Sequence, residues 1–153
     1  MLKTLINTPK NMGIAHTELA SKIIKQTSTE FGITHFINNV VVIEFNEGTH
    51  IDLKAVKPIL NNIKSHYGST KPFGIVANRI NSYSISILDL NKARQIIPNL
   101  AAYGIVSYNK ATQMNAQIES SVCQWKDICF DNLFEGFNTI QKRVENQTLI
   151  NSN

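Results

Sequence analysis

The chain has 153 residues, of which 42% are hydrophobic and 17% charged, and its formal net charge is +4. That length fits one domain able to bury a core without metal or disulfides, and the mixture is too apolar for intrinsic disorder. The longest wholly apolar run, residues 40–43, is far short of the roughly 20 residues that a membrane-spanning helix needs. The N-terminus lacks the apolar core of a signal peptide, so a globular, cytoplasmic protein is expected. The basic residues are scattered, without a like-charge block or interleaved aromatic platforms, which argues against nucleic acid as a partner. Cys123 and Cys129 have no histidine companions at ligand spacing and read as reduced, half-buried core residues.

Residues 1–27 carry a weak apolar stripe at Ile14, Leu19 and Ile23 and read as a lead-in, frayed at first and then a short helix or strand. Residues 28–147 read as a single α/β domain, and residues 148–153 as a frayed tail. Imperfect alternation over 29–38 ends in Asn38-Asn39, a turn signal directly before VVVIEF, so a β-hairpin is expected with 40–45 as its more buried strand. Asp52 can cap a helix carrying Leu53, Val56, Ile59 or Leu60, Ile63 and Tyr67 on one face, with Gly68 as its stop. Pro58 leaves two options: a kink near Lys54, or a regular helix that starts only at Pro58.

Residues 73–77 read as a strand buried on both faces, because their apolar run does not alternate. A polar loop follows, then a short helix with Ile87, Leu88, Leu90, Ala93 and Ile97, closed by Pro98. Residues 101–106 make another strand. Ala111, Met114, Ile118, Val122 and Trp125 mark a core-facing helical stripe; 128–130 is a short strand; and a last helix from Asn132 buries Leu133, Phe137, Ile140 and Val144. Strands alternating with helices imply parallel crossovers, right-handed in nearly all known cases. The expected fold is α/β: a mixed central sheet of about five strands, with an N-terminal β-hairpin followed by alternating helices and strands.

The stretch 71–90, KPFGIVANRINSYSISILDL, passes from buried strand through polar loop into helix, and such loops at the carboxyl ends of strands are where ligands and partners meet an open α/β sheet. Asn78, Arg79, Asn81, Ser82, Tyr83 and Ser84 are therefore the candidate partner- or ligand-binding residues. Arg79 can clamp a carboxylate or phosphate with its planar fork, helped by Asn81, Ser82 and Ser84 near a helix N-terminus. The alternative is that these side chains hold the loop together through bonds to its backbone, with Tyr83 an anchor over the core edge. The four histidines are scattered, Glu44, Glu47 and Glu119 read as solvated, and no phosphate loop, nucleophile elbow or His-Glu metal motif occurs. No catalytic residue, cofactor or metal is expected.

The segments VVVIEFNEGTHIDL, KPFGIVANRINSYSIS, IPNLAAYGIVSYNKA and DICFDNLFEGFNTI carry a resemblance. Over residues 29–145, about three quarters of the chain, they resemble a SpoIIAA-like, STAS-type domain (sulfate transporter and anti-sigma factor antagonist). NRINSYS with the later AYGIVSYN is the most specific part. The resemblance implies a strand-led α/β fold and, by analogy with regulatory members, a non-enzymatic module that docks a partner protein. It also points to a phosphorylatable serine at the start of the helix after the third-strand region. The matching residues are 82–86, with Ser84 the possible phosphoacceptor, although the family's Asp-Ser-Ser-Gly pattern is absent there. Some relatives of this sheet architecture bind lipids between helix and sheet, which makes a carrier or sensor of a small apolar or anionic ligand the alternative function.

Overall fold

The computed structural model describes residues 13–110, 114 and 129–152. Two 3-10 turns, Ile14–His16 and Glu18–Lys22, lead into β1 (Lys25–Thr29), β2 (Gly32–Ile37) and β3 (Val40–Phe45). After the two-residue β4 (His50–Ile51) come α1 (Leu53–Tyr67), β5 (Phe73–Arg79), the two-residue β6 (Ser84–Ile85), α2 (Ile87–Ile96) and β7 (Leu100–Ser107). The short β8 (Cys129–Phe130) and α3 (Leu133–Ser152) complete the described elements. The main sheet has the order β1-β2-β3-β5-β7-β8, antiparallel from β1 to β3 and parallel from β3 to β8. It is thus a mixed sheet of six strands, and β4 and β6 form a separate parallel pair.

Side chains alternate across a strand, so β3 feeds two cores at once. Val41, Ile43 and Phe45 join Ile75 of β5 and Ile59, Leu60, Ile63 and Tyr67 of α1 on one face. Val40 and Val42 join Val76 and the α3 residues Phe137, Ile140 and Val144 on the other. Ile14 and Leu19 of the N-terminal turns also belong to this second core, so residues read as a lead-in contribute to the packed interior. All seven residues of β5 are buried, as its unbroken apolar run implies.

The sheet gains a strand because the hairpin is a three-stranded meander. β1, with sequence KQTST, is an exposed-to-intermediate edge whose polar residues give no apolar alternation to read. Asn38 takes φ 52° in the β2–β3 turn, a left-handed conformation that asparagine tolerates well. The helix α1 begins at Leu53, capped by the Asp52 side chain accepting from Ala55 N–H at 2.9 Å, and does not wait for Pro58. Lys54 and Pro58 are both exposed, so the carbonyl that proline leaves without a donor belongs to a residue on the solvent side of the helix, where the loss costs least. Gly68 ends the helix at φ 76°.

Other differences concern burial. Met114 is 57% exposed and so not part of a buried stripe, while Ala111, Ile118, Glu119, Val122, Cys123 and Trp125 lie outside the described residues. Cys129 is exposed on the edge strand β8. α3 continues to Ser152, past the residue at which the sequence ends the domain. Among the described residues no helix is long and apolar enough to cross a membrane.

Gly74 permits α3 to pack against β5. A Cβ at this position would collide with the Ile140 side chain and lie 2.9 Å from Val144 Cγ2, and both neighbours are fully buried. Gly74→Ala is therefore expected to destabilise the protein by about 1–3 kcal/mol through overpacking. Urea unfolding measures this, and an unchanged midpoint would refute close packing of α3 on β5.

Candidate functional site

β5 delivers two adjacent polar residues, Asn78 and Arg79, to opposite faces of the sheet at its carboxyl end. The strand runs two residues beyond Ala77, where its apolar run stops, and both side chains are buried.

On the α3 side, Asn78 meets Glu44 of β3. Glu44 Oε2 accepts from Asn78 Nδ2 at 2.6 Å and from the Ile14 backbone N–H at 2.8 Å, and Oε1 accepts from His35 Nε2 at 3.0 Å. Gln26 Nε2 lies 2.9 Å from His35 Nδ1; with the amide donating there, the ring's Nε2–H points at Glu44. Asn78 Oδ1 in turn accepts from Tyr108 OH at 2.6 Å. Burial by itself would raise the pKa of Glu44, but the hydrogen bonds from His35, Ile14 and Asn78 outweigh it and hold the carboxyl below its ordinary value of 4.5. Burial, reinforced by the Glu44 charge, pushes the Tyr108 hydroxyl up to about 12 although its bond to Asn78 acts the other way.

Glu44 is thus not solvated: its side chain is 11% exposed. The signal was its parity, because it shares a strand face with Val40 and Val42, both fully buried. Both carboxylate oxygens accept hydrogen bonds, two at Oε2 and one at Oε1, so the group ties elements together. Among the described residues no three His, Cys, Asp or Glu side chains gather as metal ligands.

On the α1 and α2 side, Arg79 is 5% exposed, and its Nε–H donates to Tyr83 OH at 3.0 Å while its guanidinium carbon stands 5.0 Å from the Tyr83 ring centre. Tyr83 meets Phe45 edge-on at 5.1 Å. Arg79 therefore braces the loop from beneath. Directly opposite it in register is Ser107, fully buried, whose Oγ has no hydrogen-bond partner among the described residues.

The loop is pinned along its length. Asn81 Nδ2 donates to Phe45 O at 2.9 Å, Ser82 N–H to Glu47 Oε2 at 2.6 Å, and Gly48 N–H to Ser82 O at 2.7 Å. Ser84 N–H donates to Thr49 O and Ser86 N–H to Ile51 O, the frame of the β4–β6 pair, and Ser84 Oγ lies 2.7 Å from His50 Nδ1. The six candidate residues thus divide three ways: Asn78 belongs to the Glu44 cluster, Arg79, Tyr83 and Asn81 secure the loop, and Ser82 and Ser84 face solvent.

The Glu44 cluster sets an acid limit on stability. A carboxyl whose pKa is lower folded than unfolded stabilises the fold above the unfolded value of 4.5, and that contribution is lost as pH falls through the folded value. Glu44→Gln is expected to cost about 1–3 kcal/mol at neutral pH and to flatten the loss of stability in acid. Thermal unfolding from pH 7 to pH 3 reads both, and parallel curves for the two proteins would remove Glu44 from this role. No protein-family model, curated protein or solved structure matches the chain, so the functional reading starts from the geometry of these two clusters.

Proposed function

We propose that the chain is a non-enzymatic, STAS-like cytoplasmic module that regulates by binding a partner protein, with residues 80–86 and the outer face of α2 as the contact surface. The observation that carries this is the pinned loop: Ser82 and Ser84 are exposed, yet their backbone N–H groups donate to Glu47 Oε2 and Thr49 O, and Ser82 O accepts from Gly48 N–H. A loop already held in one shape loses little conformational entropy on docking, so more of the contact energy appears as affinity. Adjoining it, α2 buries only Ala93 of its ten residues, and Leu88 is 80% exposed. An apolar side chain beside a rigid polar loop suits a partner whose own surface offers a small apolar pocket with a polar rim.

The resemblance of NRINSYS and AYGIVSYN to SpoIIAA-like, STAS-type domains, whose regulatory members dock a partner protein, supports the same reading. Asn78 and Arg79 act here as supports for the surface. Ser84 is the phosphoacceptor this reading favours, being exposed with its hydroxyl against His50. A phosphate there would add about −1.5 to −2 charges to the surface.

Leu88→Glu and Ser82→Arg change only exposed atoms, so both should keep the wild-type unfolding temperature. Each is expected to weaken a partner identified by cross-linking in native extract by about tenfold or more, the scale of an interface hot spot. Equal affinity of wild type and the double variant for that partner would overturn the surface.

A further inference from the structure

We infer that β1 is the contact edge between two copies of this chain, the two β1 strands pairing antiparallel about a two-fold axis at Thr27 and joining the two six-stranded sheets into one. This edge is separate from residues 80–86 and α2, since β2 and β3 stand between β1 and β5.

The hydrogen bonds of β2 show which groups β1 leaves outside. Phe31 O accepts from Asn46 N–H on the β3 side, and Phe36 O accepts from Ile24 N–H on the other. Backbone groups of successive strand residues point to alternate edges, so Gly32, Thr34 and Phe36 turn theirs toward β1. Their register partners Thr29, Thr27 and Lys25 answer them. The N–H and C=O of Gln26 and Ser28 therefore point away from the sheet, and no bond from another described residue reaches them. Such a row is a template for a further strand. Edges that must stay single are blunted by proline, bulges or several charges. β1 reads KQTST, with one lysine at its first position, no proline and an unbroken register with β2.

The sequence also selects the occupant. A two-fold axis perpendicular to the sheet keeps side chains on matching faces only when the pairing is centred on a residue. Centred on Thr27, Gln26 meets Ser28 of the second copy, and the outward N–H and C=O of both residues are satisfied in both chains. Lys25 falls opposite Thr29, so like charges do not face each other. Thr27 meets itself as a non-hydrogen-bonded pair, the kind in which side chains come closest, with Cα atoms about 4.5 Å apart. Thr27 Oγ1 is buried and has no hydrogen-bond partner among the described residues. Rotation about χ1 exchanges the hydroxyl with the methyl, and threonines paired across two strands hydrogen-bond to each other. An atom left unsatisfied in the single chain thus sits where a second copy supplies its partner. A strand of another sequence would bring a threonine to that point only by coincidence.

The test is sedimentation equilibrium of the full chain from about 10 µM to about 1 mM, the affinity range of a small edge contact, joined to disulfide trapping. Wild type should show a dimer fraction that rises with concentration. Ser28→Pro deletes an outward N–H while leaving the bonds to β2 in place, and Thr27→Lys sets two ammonium groups across the axis. Each should weaken the dimer by about tenfold or more while keeping the wild-type circular dichroism. For trapping, Cys123→Ser and Cys129→Ser remove the native thiols, and Thr27→Cys, Ser28→Cys and Thr29→Cys are oxidised separately in a glutathione buffer. Thr27→Cys should form the disulfide dimer about tenfold faster than the other two, because only position 27 meets itself within the roughly 4.4–6.8 Å between Cα atoms that a disulfide spans. A wild-type chain that stays monomeric throughout, or equal cross-linking at all three positions, overturns the edge contact. A dimer that survives both Ser28→Pro and Thr27→Lys lies elsewhere on the molecule and overturns it equally. Should Ser28→Pro fail to fold, Thr27→Lys and the trapping series still decide.

Discussion

Inside the sheet, at the carboxyl end of β3, the Glu44 carboxylate takes hydrogen bonds from three distant pieces of chain: the N-terminal turn at Ile14, β2 at His35 and β5 at Asn78. Burying a carboxylate without such donors is strongly unfavourable, and with them it becomes specific, since each donor must come to one place. The bond from Asn78 fixes how the ends of β3 and β5 sit beside each other on the α3 side, and Tyr108 extends the same network beyond the end of β7. Everything leaving the carboxyl edge of the sheet, including the loop after β5, departs from a frame that this carboxylate holds.

Because adjacent residues of a strand face opposite ways, β5 uses Asn78 to join that frame and Arg79 to prop the loop from the other side. The side chains that determine shape are therefore beneath the surface, and those on it contribute little to shape. Replacing Arg79 or Asn78 would disturb the scaffold, whereas Ser82 and Leu88 can change without cost to packing. A residue that the fold does not need, presented on backbone that the fold holds rigid, is where recognition has freedom to act.

How far this was legible from sequence differs by element. VVVIEF and FGIVA announce buried strands because β-branched runs have few other stable settings, and Asp52, the stripe from Val56 to Tyr67 and Gly68 bound α1 by capping and periodicity alone. β1 was hidden because an edge strand can be polar throughout, its pairing set by β2 and not by its own pattern. Asn78 and Arg79 looked like loop because polar residues seldom fill a central strand. Their place there depends on Glu44, in a neighbouring strand, and on Tyr83, in the loop that follows. The β4–β6 pair, two residues from each of two loops, is purely tertiary. Glu44 was the readable miss, since period two places it with Val40 and Val42, but charge outweighed parity when the residue was judged alone.

α2 lies loosely on the sheet. Its ten residues bury one side chain, and its firm tether at the start is the bond from Leu53 N–H to Asp89 Oδ2, 2.9 Å long. Elements with few buried contacts open locally at free energies well below that of global unfolding. A cavity of about 90 Å³ between α2 and the sheet is the reason for the few contacts, as side chains that would anchor the helix meet empty space. Leu88 on the outer side rides on the same ten-residue helix, 80% exposed.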